Sequence, residues 1–320
     1  MNTRTLLRAT LVAAFAMLST LAALAASDNN TPGHGVALVT LLPSKGSNTV
    51  PQLAATDLKL KVAGRPATIT QWAPLDTGAY RMEVVLMLDE GARTSLSTQL
   101  SYMDSFLKGL PPGSAAAVAY MMNGRALLAT PLTTNLDQAA SGLRIPGGGP
   151  VGINASPYFC LEDLAKNWPS QNPYARRIAV VVTDGIDNYS PRYDPDDPYV
   201  QAAIHAAVSN HVLIYPIYWR DRGWFDQTGY AADTGQNLLA QVASSTGGAS
   251  YWIGLGNPVS IDPYFREIVD RAQHLYVLEY QTDSKVLTGL QNLKLEAVNK
   301  ANKLTAPDLT EVERAPAVAK

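Results

Sequence analysis

Apolar residues in the middle of the chain are grouped differently from those near its two ends. In the middle, nearly continuous hydrophobic runs alternate with segments of helical spacing, and such runs are typical of strands buried on both faces of a parallel sheet. The runs cover residues 82–88, 115–122, 177–183 and 211–219, and the helical segments include 96–110 and 235–248. Strands alternating with helices predict an α/β domain over residues 81–273, doubly wound, with a mostly parallel sheet and helices on both faces.

Segments nearer the two ends alternate apolar and polar residues, as strands with one buried face do. The alternation covers residues 36–43, 56–72, 275–282 and 290–298, with a Gly-Arg-Pro turn inside the second segment. We expect two hairpins from opposite ends of the chain to pair into one small antiparallel sheet. This β satellite is predicted to combine residues 26–80 with residues 274–320.

Proline positions refine these elements. Three predicted helices start with the same sequence motif, in which Ser156, Asp197 or Asp262 precedes a proline and a tyrosine. Ser or Asp at the N-cap with Pro at the first helical position is a common helix start. Pro216 interrupts the strand at 211–219, and we expect that strand to bulge or to lie away from the centre of the sheet.

The N-terminus resembles an export signal. Arg4 and Arg8 precede an apolar core at residues 11–21, and the sequence Ala-Leu-Ala at 23–25 offers a small-residue cleavage site. Cleavage predicts an exported protein, periplasmic or extracellular, with residues 1–25 as the signal peptide. The alternative is an uncleaved anchor helix, because the apolar stretch approaches bilayer length. The single cysteine, Cys160, is predicted to be buried and inert.

Composition excludes several classes of partner. The chain has 320 residues, of which 47% are hydrophobic, with a formal net charge of -2 and a pI near 6.1. This balance gives no basic surface for nucleic acid. No second apolar run reaches the ~18 residues that a spanning helix needs, so no membrane span is expected after signal removal.

Loops that follow the central strands carry the candidate chemistry. In doubly wound sheets, ligands bind outside the carboxyl ends of the strands. Four loops are expected to meet there, and we call them the rim: residues 89–95, 145–156, 184–198 and 219–230.

At "VVLMLDEG" (84–91) and "VVVTDGID" (180–187), taken with the order of elements, the chain resembles a von Willebrand factor A-type domain, of the kind called VWFA-related in exported bacterial proteins. The resemblance covers residues 81–273. It implies a metal-ion-dependent adhesion site, in which a D-x-S-x-S loop, a later Thr and a final Asp hold a hard divalent cation, usually Mg²⁺.

Position by position, this metal site is degenerate. The resemblance matches Asp89 to the first Asp and Asp184 to the last, but Gly91 and Arg93 stand where the two serines belong. The Gly-rich stretch before residue 157 contains no Thr, and Ser156 is its nearest hydroxyl. The metal ligands implied are therefore Asp89 and Asp184, with Ser156 as a third ligand unless it caps its helix.

Three interpretations of Arg93 remain open. The resemblance implies that the strands ending at Asp89 and Asp184 are neighbours, about 4.8 Å apart. Two carboxylates at that distance repel by up to about 4 kcal/mol at an effective dielectric constant of 20. Arg93 could bridge them in place of the cation, since a guanidinium fork suits two carboxylates. Alternatively, Arg93 points to solvent, or the site still binds Mg²⁺.

Binding is the function that the rim favours. The expected contact residues are Asp89, Glu90, Arg93, Asp184, Asp187, Trp219, Trp224 and Phe225. Aromatic residues and arginine dominate binding hot spots, so we expect a non-catalytic protein that engages a protein or glycan partner. One alternative is a Mg²⁺-dependent adhesion-type domain, and another is a hydrolase that uses the rim carboxylates.

Sequence signals for catalysis are weak. None of the four histidines falls in the rim loops, and the chain has no G-x-S-x-G elbow, H-E-x-x-H helix or phosphate-binding loop. The acidic loop at 193–198 has carboxylates that could hold Ca²⁺. A solvated acidic loop is the alternative.

Overall fold

The computed structural model describes residues 31–43, 49–76, 78–92, 94–147, 156–187, 189–190, 193–220, 229–254 and 256–314. The predicted signal peptide lies outside the described residues, as do Arg93, Trp224 and Phe225. Within the described ranges, no helix is both long and apolar enough to cross a bilayer.

Strands and helices follow one another along the chain much as the hydrophobic pattern predicts. The strands of the described residues are β1 (His34–Leu42), β2 (Leu58–Val62), β3 (Arg65–Pro66), β4 (Thr68–Pro74), β5 (Arg81–Asp89), β6 (Ala115–Met122), β7 (Arg125–Leu128), β8 (Ala175–Thr183), β9 (Val212–Tyr218), β10 (Leu275–Gln281), β11 (Gly289–Ala297), β12 (Lys303–Thr305) and β13 (Leu309–Val312). The α-helices are α1 (Leu100–Lys108), α2 (Leu136–Ala140), α3 (Pro157–Lys166), α4 (Pro198–Ser209), α5 (Gly229–Thr246) and α6 (Asp262–Gln273). Short 3-10 turns cover Ala55–Asp57 and Thr94–Gln99.

The central sheet has the order β7-β6-β5-β8-β9. Strands β5, β6, β8 and β9 are parallel, and β7 is antiparallel at one edge. Side chains of β5 alternate between two buried layers: Leu86 packs among residues of α1, α2 and α6, whereas Met87 packs among residues of α3, α4 and α5. Both faces are therefore covered, and the predicted doubly wound α/β domain is confirmed.

Pro216 lies on β9, which is the other edge strand of this sheet, as its missing N–H requires. The outer side of β9 pairs with Tyr251, whose backbone N–H donates to the carbonyl of Pro216 at 2.9 Å. Cys160 is 2% exposed on α3, and burial raises the pKa of its thiol to about 12. The predicted burial of this cysteine is confirmed.

The predicted antiparallel β satellite, built from both ends of the chain, is confirmed, but it is a sandwich of two sheets and the prediction of a single sheet was wrong. One sheet has the order β12-β1-β10-β4 and the other has the order β13-β11-β2-β3. The predicted hairpin at 56–72 is divided between them: β2 turns through Ala63 and Gly64 to pair with β3, but β4 pairs with β10 in the other sheet. One face of each sheet packs against the other sheet through side chains such as Val39, Leu278, Leu60 and Leu295. The opposite face of the first sheet packs against the core of the central domain through Leu38, Leu275 and Val277.

One of the three predicted N-caps is confirmed. Asp197 Oδ1 accepts the backbone N–H groups of Tyr199 and Val200 at the start of α4. Asp262 is instead the first residue of α6, and the N–H before it, that of Ile261, donates to the side chain of Gln99.

Candidate functional site

The crevice between β5 and β8 is where the described loops of the rim converge. From β5 the chain crosses to β6 on one side, and it later returns to β8 on the other side of β5. This reversal is a topological switch point, at which parallel sheets open a cleft outside their carboxyl ends. The prediction that the strands ending near Asp89 and Asp184 are adjacent in the sheet is confirmed.

Asp89 ends β5 and uses both carboxylate oxygens inside the protein. Its Oδ1 accepts the N–H of Gly91 at 2.9 Å, and its Oδ2 accepts the hydroxyl of Thr183 at 2.8 Å. The register pairs Leu88 with Val182, which places Thr183 beside Asp89. Burial raises the pKa of Asp89, and the two hydrogen bonds oppose that rise. Thr183 is a site residue that sequence reasoning missed, because its position depends on the register of the two strands.

Asp184 begins the turn after β8. It is 7% exposed, and its Oδ1 accepts the N–H of Ile186 at 2.9 Å. Gly185 follows with a φ of +67°, which glycine adopts without a steric cost. The buried hydroxyl of Tyr158, on α3, donates to the carbonyl of Gly185 at 2.8 Å. Helix α3 thereby holds the turn that carries Asp184.

Ser156 does not cap its helix, contrary to the capping prediction. Its hydroxyl donates instead to Oδ2 of Asp187 at 3.0 Å, across the crevice wall. The other oxygen of Asp187 accepts the N–H groups of Tyr189 and Ser190. Asp187 is 3% exposed, and burial raises its pKa despite these bonds. The pair therefore joins the start of α3 to the loop after β8.

Glu90 forms a clamp with Arg144, a residue that no sequence motif indicated. The guanidinium donates to Oε1 at 2.8 Å and to Oε2 at 2.7 Å, and the N–H of Gly147 donates to Oε1 at 2.8 Å. Arg144 also lies 3.9 Å from the ring centroid of Tyr120, whose hydroxyl accepts the backbone N–H of Arg144. We call Glu90, Arg144 and Tyr120 the clamp. It fixes the entry to the Gly-rich rim loop on the ends of β5 and β6.

Substituting Glu90→Gln tests the clamp. Burial alone would raise the pKa of Glu90, but the bonds from Arg144 and Gly147 lower it below the ordinary value of 4.5. A lowered folded-state pKa stabilises the protein above the ordinary value, and this contribution disappears as the pH falls through the lowered value. At pH 7 we expect the variant to lose about 0.5–1 kcal/mol, because Arg144 is half exposed.

Urea unfolding of wild type and E90Q between pH 3 and 8 measures this difference. We expect it to stay constant above about pH 5 and to shrink below about pH 4.5. Subtraction cancels the opposite effect of Asp187, whose pKa burial raises. Asp89 does not cancel, because the charge of Glu90 contributes to its raised pKa and the substitution removes that contribution. Glu162→Gln, which removes a carboxylate paired with Lys166 on an exposed helix face, is the control. A difference that does not depend on pH would contradict the clamp.

Aromatic residues of the fourth rim loop are only partly described. Trp219 is 2% exposed and packs in the core between the sheet and α6, so it is not available as a surface contact. Its backbone N–H donates to the carbonyl of Thr183 at 2.9 Å. Trp219 is buried because it continues the hydrogen bonding between β9 and β8 by one residue beyond the end of β9. Trp224 and Phe225 lie outside the described residues, and their predicted contact role stays a prediction.

The described donors do not by themselves fit the divalent cation that the resemblance implies. Both oxygens of Asp89 accept hydrogen bonds from protein donors, and the hydroxyl of Ser156 is bonded to Asp187. Among the residues that the structure describes, no three His, Cys, Asp or Glu side chains come close enough to hold a metal ion. Arg93 lies outside this part of the chain. Its bridging role and the retained metal therefore both stay predictions.

Comparisons with known proteins give only distant similarities. No family model matches the sequence, and no curated protein matches it. Among solved structures, the chain is similar to an aerotolerance-related membrane protein from Bacteroides fragilis, at 13% identity over 60% of this chain and 98% of that chain, with a TM-score of 0.42. It is also similar to BatB from Bacteroides thetaiotaomicron, at 13% identity over 59% of this chain and 96% of that chain, with a TM-score of 0.41. A von Willebrand factor type A protein from Catenulispora acidiphila has 12% identity over 88% of this chain and 74% of that chain, with a TM-score of 0.42.

The fold is von Willebrand factor A-like. The features that agree with this fold are the order of the central strands and the position of Asp89 and Asp184 at the ends of two neighbouring strands. The degenerate metal site is a separate matter, since the serine position occupied by Arg93 lies outside the described residues.

Proposed function

We propose that this chain is an exported, non-catalytic binding domain that engages a protein or glycan partner through the rim. One observation carries the proposal. The ends of β5 and β8 are joined by the hydrogen bond from Thr183 to Asp89, and the loop after β8 is joined to α3 by the bonds of Asp187 and Gly185. Asp89 and Asp187 accept hydrogen bonds from the loops and strands around them, so they serve to shape the surface. Preorganised loops on a rigid sheet are where binding surfaces are commonly found.

Site-specific photo-crosslinking tests where the partner binds. A photoreactive phenylalanine analogue would replace exposed rim residues, Ile145 and Tyr189, or exposed residues of the β sandwich, Leu287 and Val298. In cells that produce the protein naturally, we expect cross-linked products from the rim positions. Products from the sandwich positions alone would overturn the proposal.

A second arm separates binding from hydrolysis. A panel of generic ester, peptide and glycoside substrates is expected to show no turnover above that of the Asp89→Ala variant. Turnover that the wild type has and the variant lacks would support the hydrolase alternative, because Asp89 is the carboxylate at the end of the central strand.

We further propose that partner binding needs no divalent cation. The support is the residue at each serine position of the metal loop, Gly91 and Arg93, neither of which supplies a side-chain oxygen. Cross-linking at the rim should therefore persist in the presence of a chelator. Micromolar Mg²⁺ or Mn²⁺ binding in calorimetry, abolished by Asp184→Ala, would refute the proposal.

Restoring the two serines is expected to create a metal site. The double substitution Gly91→Ser and Arg93→Ser supplies two hydroxyl ligands and removes the positive charge that follows Asp89 by four positions in the sequence. We expect calorimetry to detect Mg²⁺ or Mn²⁺ binding in the double variant and none in the wild type. The same variant carrying Asp184→Ala is the control. No gain in binding would show that the loop has lost the geometry as well as the ligands.

A further inference from the structure

Three aromatic rings form a surface cluster beside the crevice. Phe159 on α3, Tyr189 in the loop after β8 and Tyr199 on α4 meet pairwise edge to face, with centroid distances of 5.2, 4.8 and 5.3 Å. Tyr189 is 47% exposed, and the other two rings are partly exposed. We call these three residues the aromatic platform. Aromatic clusters with open ring area are typical of binding hot spots.

Buried carboxylates hold the platform in place. Asp187 accepts the N–H of Tyr189, and Asp197 accepts the N–H of Tyr199. The two supports are themselves linked, because Ser190 donates its N–H to Asp187 and its hydroxyl to Asp197. Both carboxylates are less than a tenth exposed. The tyrosines are therefore positioned before any partner arrives, which lowers the entropy cost of binding.

The segment that carries Tyr189 and leads into the helix of Tyr199 is acidic in sequence. Residues 184–197 contain five aspartates and one basic residue, Arg192. Among the described ones, Asp194 and Asp196 are exposed and lie in the short segment that leads into α4. Other acids near the platform are neutralised, since Glu162 pairs with Lys166 and Asp163 pairs with Arg125. The exposed aspartates thus favour a cationic ligand over an anionic one.

We propose that the aromatic platform, with Asp194 and Asp196, binds an arginine- or lysine-bearing segment of a protein partner. The proposal rests on the proposed function and names the chemistry of the partner. Aromatic ring faces attract cations, and arginine also stacks on them. The aspartates supply the complementary charge for steering and orientation. In this arrangement the hydrogen bonds that Asp187 and Asp197 accept hold in place the rings that the cation contacts.

Fluorescence anisotropy of a labelled peptide tests the proposal. The probe is an eight-residue repeat of arginine and serine, and its matched control carries citrulline in place of arginine. We expect the arginine peptide to bind more tightly than the citrulline peptide, and to bind less tightly at 0.5 M salt, where charges are screened. Tyr189→Ala is expected to weaken binding about fivefold, which corresponds to one exposed cation–π contact. The pair Asp194→Asn and Asp196→Asn is expected to weaken it about threefold.

Matched variants separate loss of the surface from loss of the fold. Tyr189→Phe keeps the ring and should bind within about twofold of wild type. Tyr174→Ala is the control, because it removes an exposed tyrosine from another edge-to-face pair. Tyr174 lies just before β8, at the end of that strand opposite to the platform, and the variant should bind like wild type. Thermal melting checks that every variant is folded.

Three results would overturn the assignment. They are equal binding of the two peptides, full binding by Tyr189→Ala, and binding of chitotetraose that Tyr189→Ala abolishes, which would give the platform to a glycan. Cross-linking at Ile145 that persists in any of these cases would leave the proposed function standing and refute only the basic-segment assignment.

Discussion

Replacing Gly235 with Ala is expected to lower the free energy of unfolding by about 2 kcal/mol, although alanine is the better helix former. A Cβ at this position of α5 would lie 2.1 Å from the carbonyl oxygen of Asp184. Helix propensity favours the alanine by about 1 kcal/mol, whereas forced overpacking costs up to about 3 kcal/mol. The steric repulsion is the larger effect, because the added Cβ meets a backbone oxygen, which cannot rotate away as a side chain can.

The same substitution is expected to disturb the rim. To relieve the contact, either α5 or the turn at Asp184 and Gly185 must move, and Tyr158 would then lose its acceptor at Gly185. Urea unfolding measures the stability, and amide exchange of the segment around residue 185 measures the displacement. Gly256→Ala is the control, since a Cβ there meets nothing within 4 Å. Equal stability of the two variants would show that α5 does not pack so closely against the rim.

Replacing Glu83 with Ala is expected to cost about 3 kcal/mol, because it removes a fully buried carboxylate that pairs with the partly exposed Arg81 and accepts the buried indole N–H of Trp168. Glu83 is 0% exposed and lies near the start of β5, where it accepts Arg81 at 2.5 Å and Trp168 Nε1 at 2.9 Å. Without the carboxylate, the indole N–H stays buried with no acceptor, and a buried unsatisfied donor is costly. The central strand would lose its anchor to the segment after α3.

Chemical denaturation of E83A and of a surface counterpart checks this expectation. Glu296→Ala removes a carboxylate that pairs with Lys294 in full contact with solvent. Exposed pairs contribute little, so we expect no measurable change in that variant. A loss in E83A as small as that in the surface variant would mean that water reaches Glu83 and its partners.

Much of the fold could be predicted from sequence, because burial on both faces leaves a clear signal. The four apolar runs are the four parallel strands, and their order along the chain fixed the class of fold. The sandwich was predicted less well. Alternation shows that a strand such as β4 has one buried face, but it does not show which neighbour the strand pairs with.

Contacts in the site depend on atoms far apart in sequence, and local patterns do not encode them. Ser156 lies in an N-cap sequence motif, yet its hydroxyl donates to Asp187, because the loop after β8 places a carboxylate within hydrogen-bond distance. Arg144 reaches Glu90 across 54 positions of sequence. Trp219 follows a strand, where a surface loop was expected, but β9 extends far enough to bury it.

The interleaving of both ends of the chain in the sandwich has a consequence for synthesis. β1 pairs with β10 and β12, and β2 pairs with β11 on the side that β3 does not cover. β1 and this side of β2 therefore remain unpaired until the last part of the chain has emerged. During that interval they present free edges and apolar side chains, which favours association with other chains. The strands of the central sheet pair only with one another, and all of them precede β10 in the chain. Chains released before residue 275 would therefore carry β1 without either of its sheet partners and β2 paired only with β3.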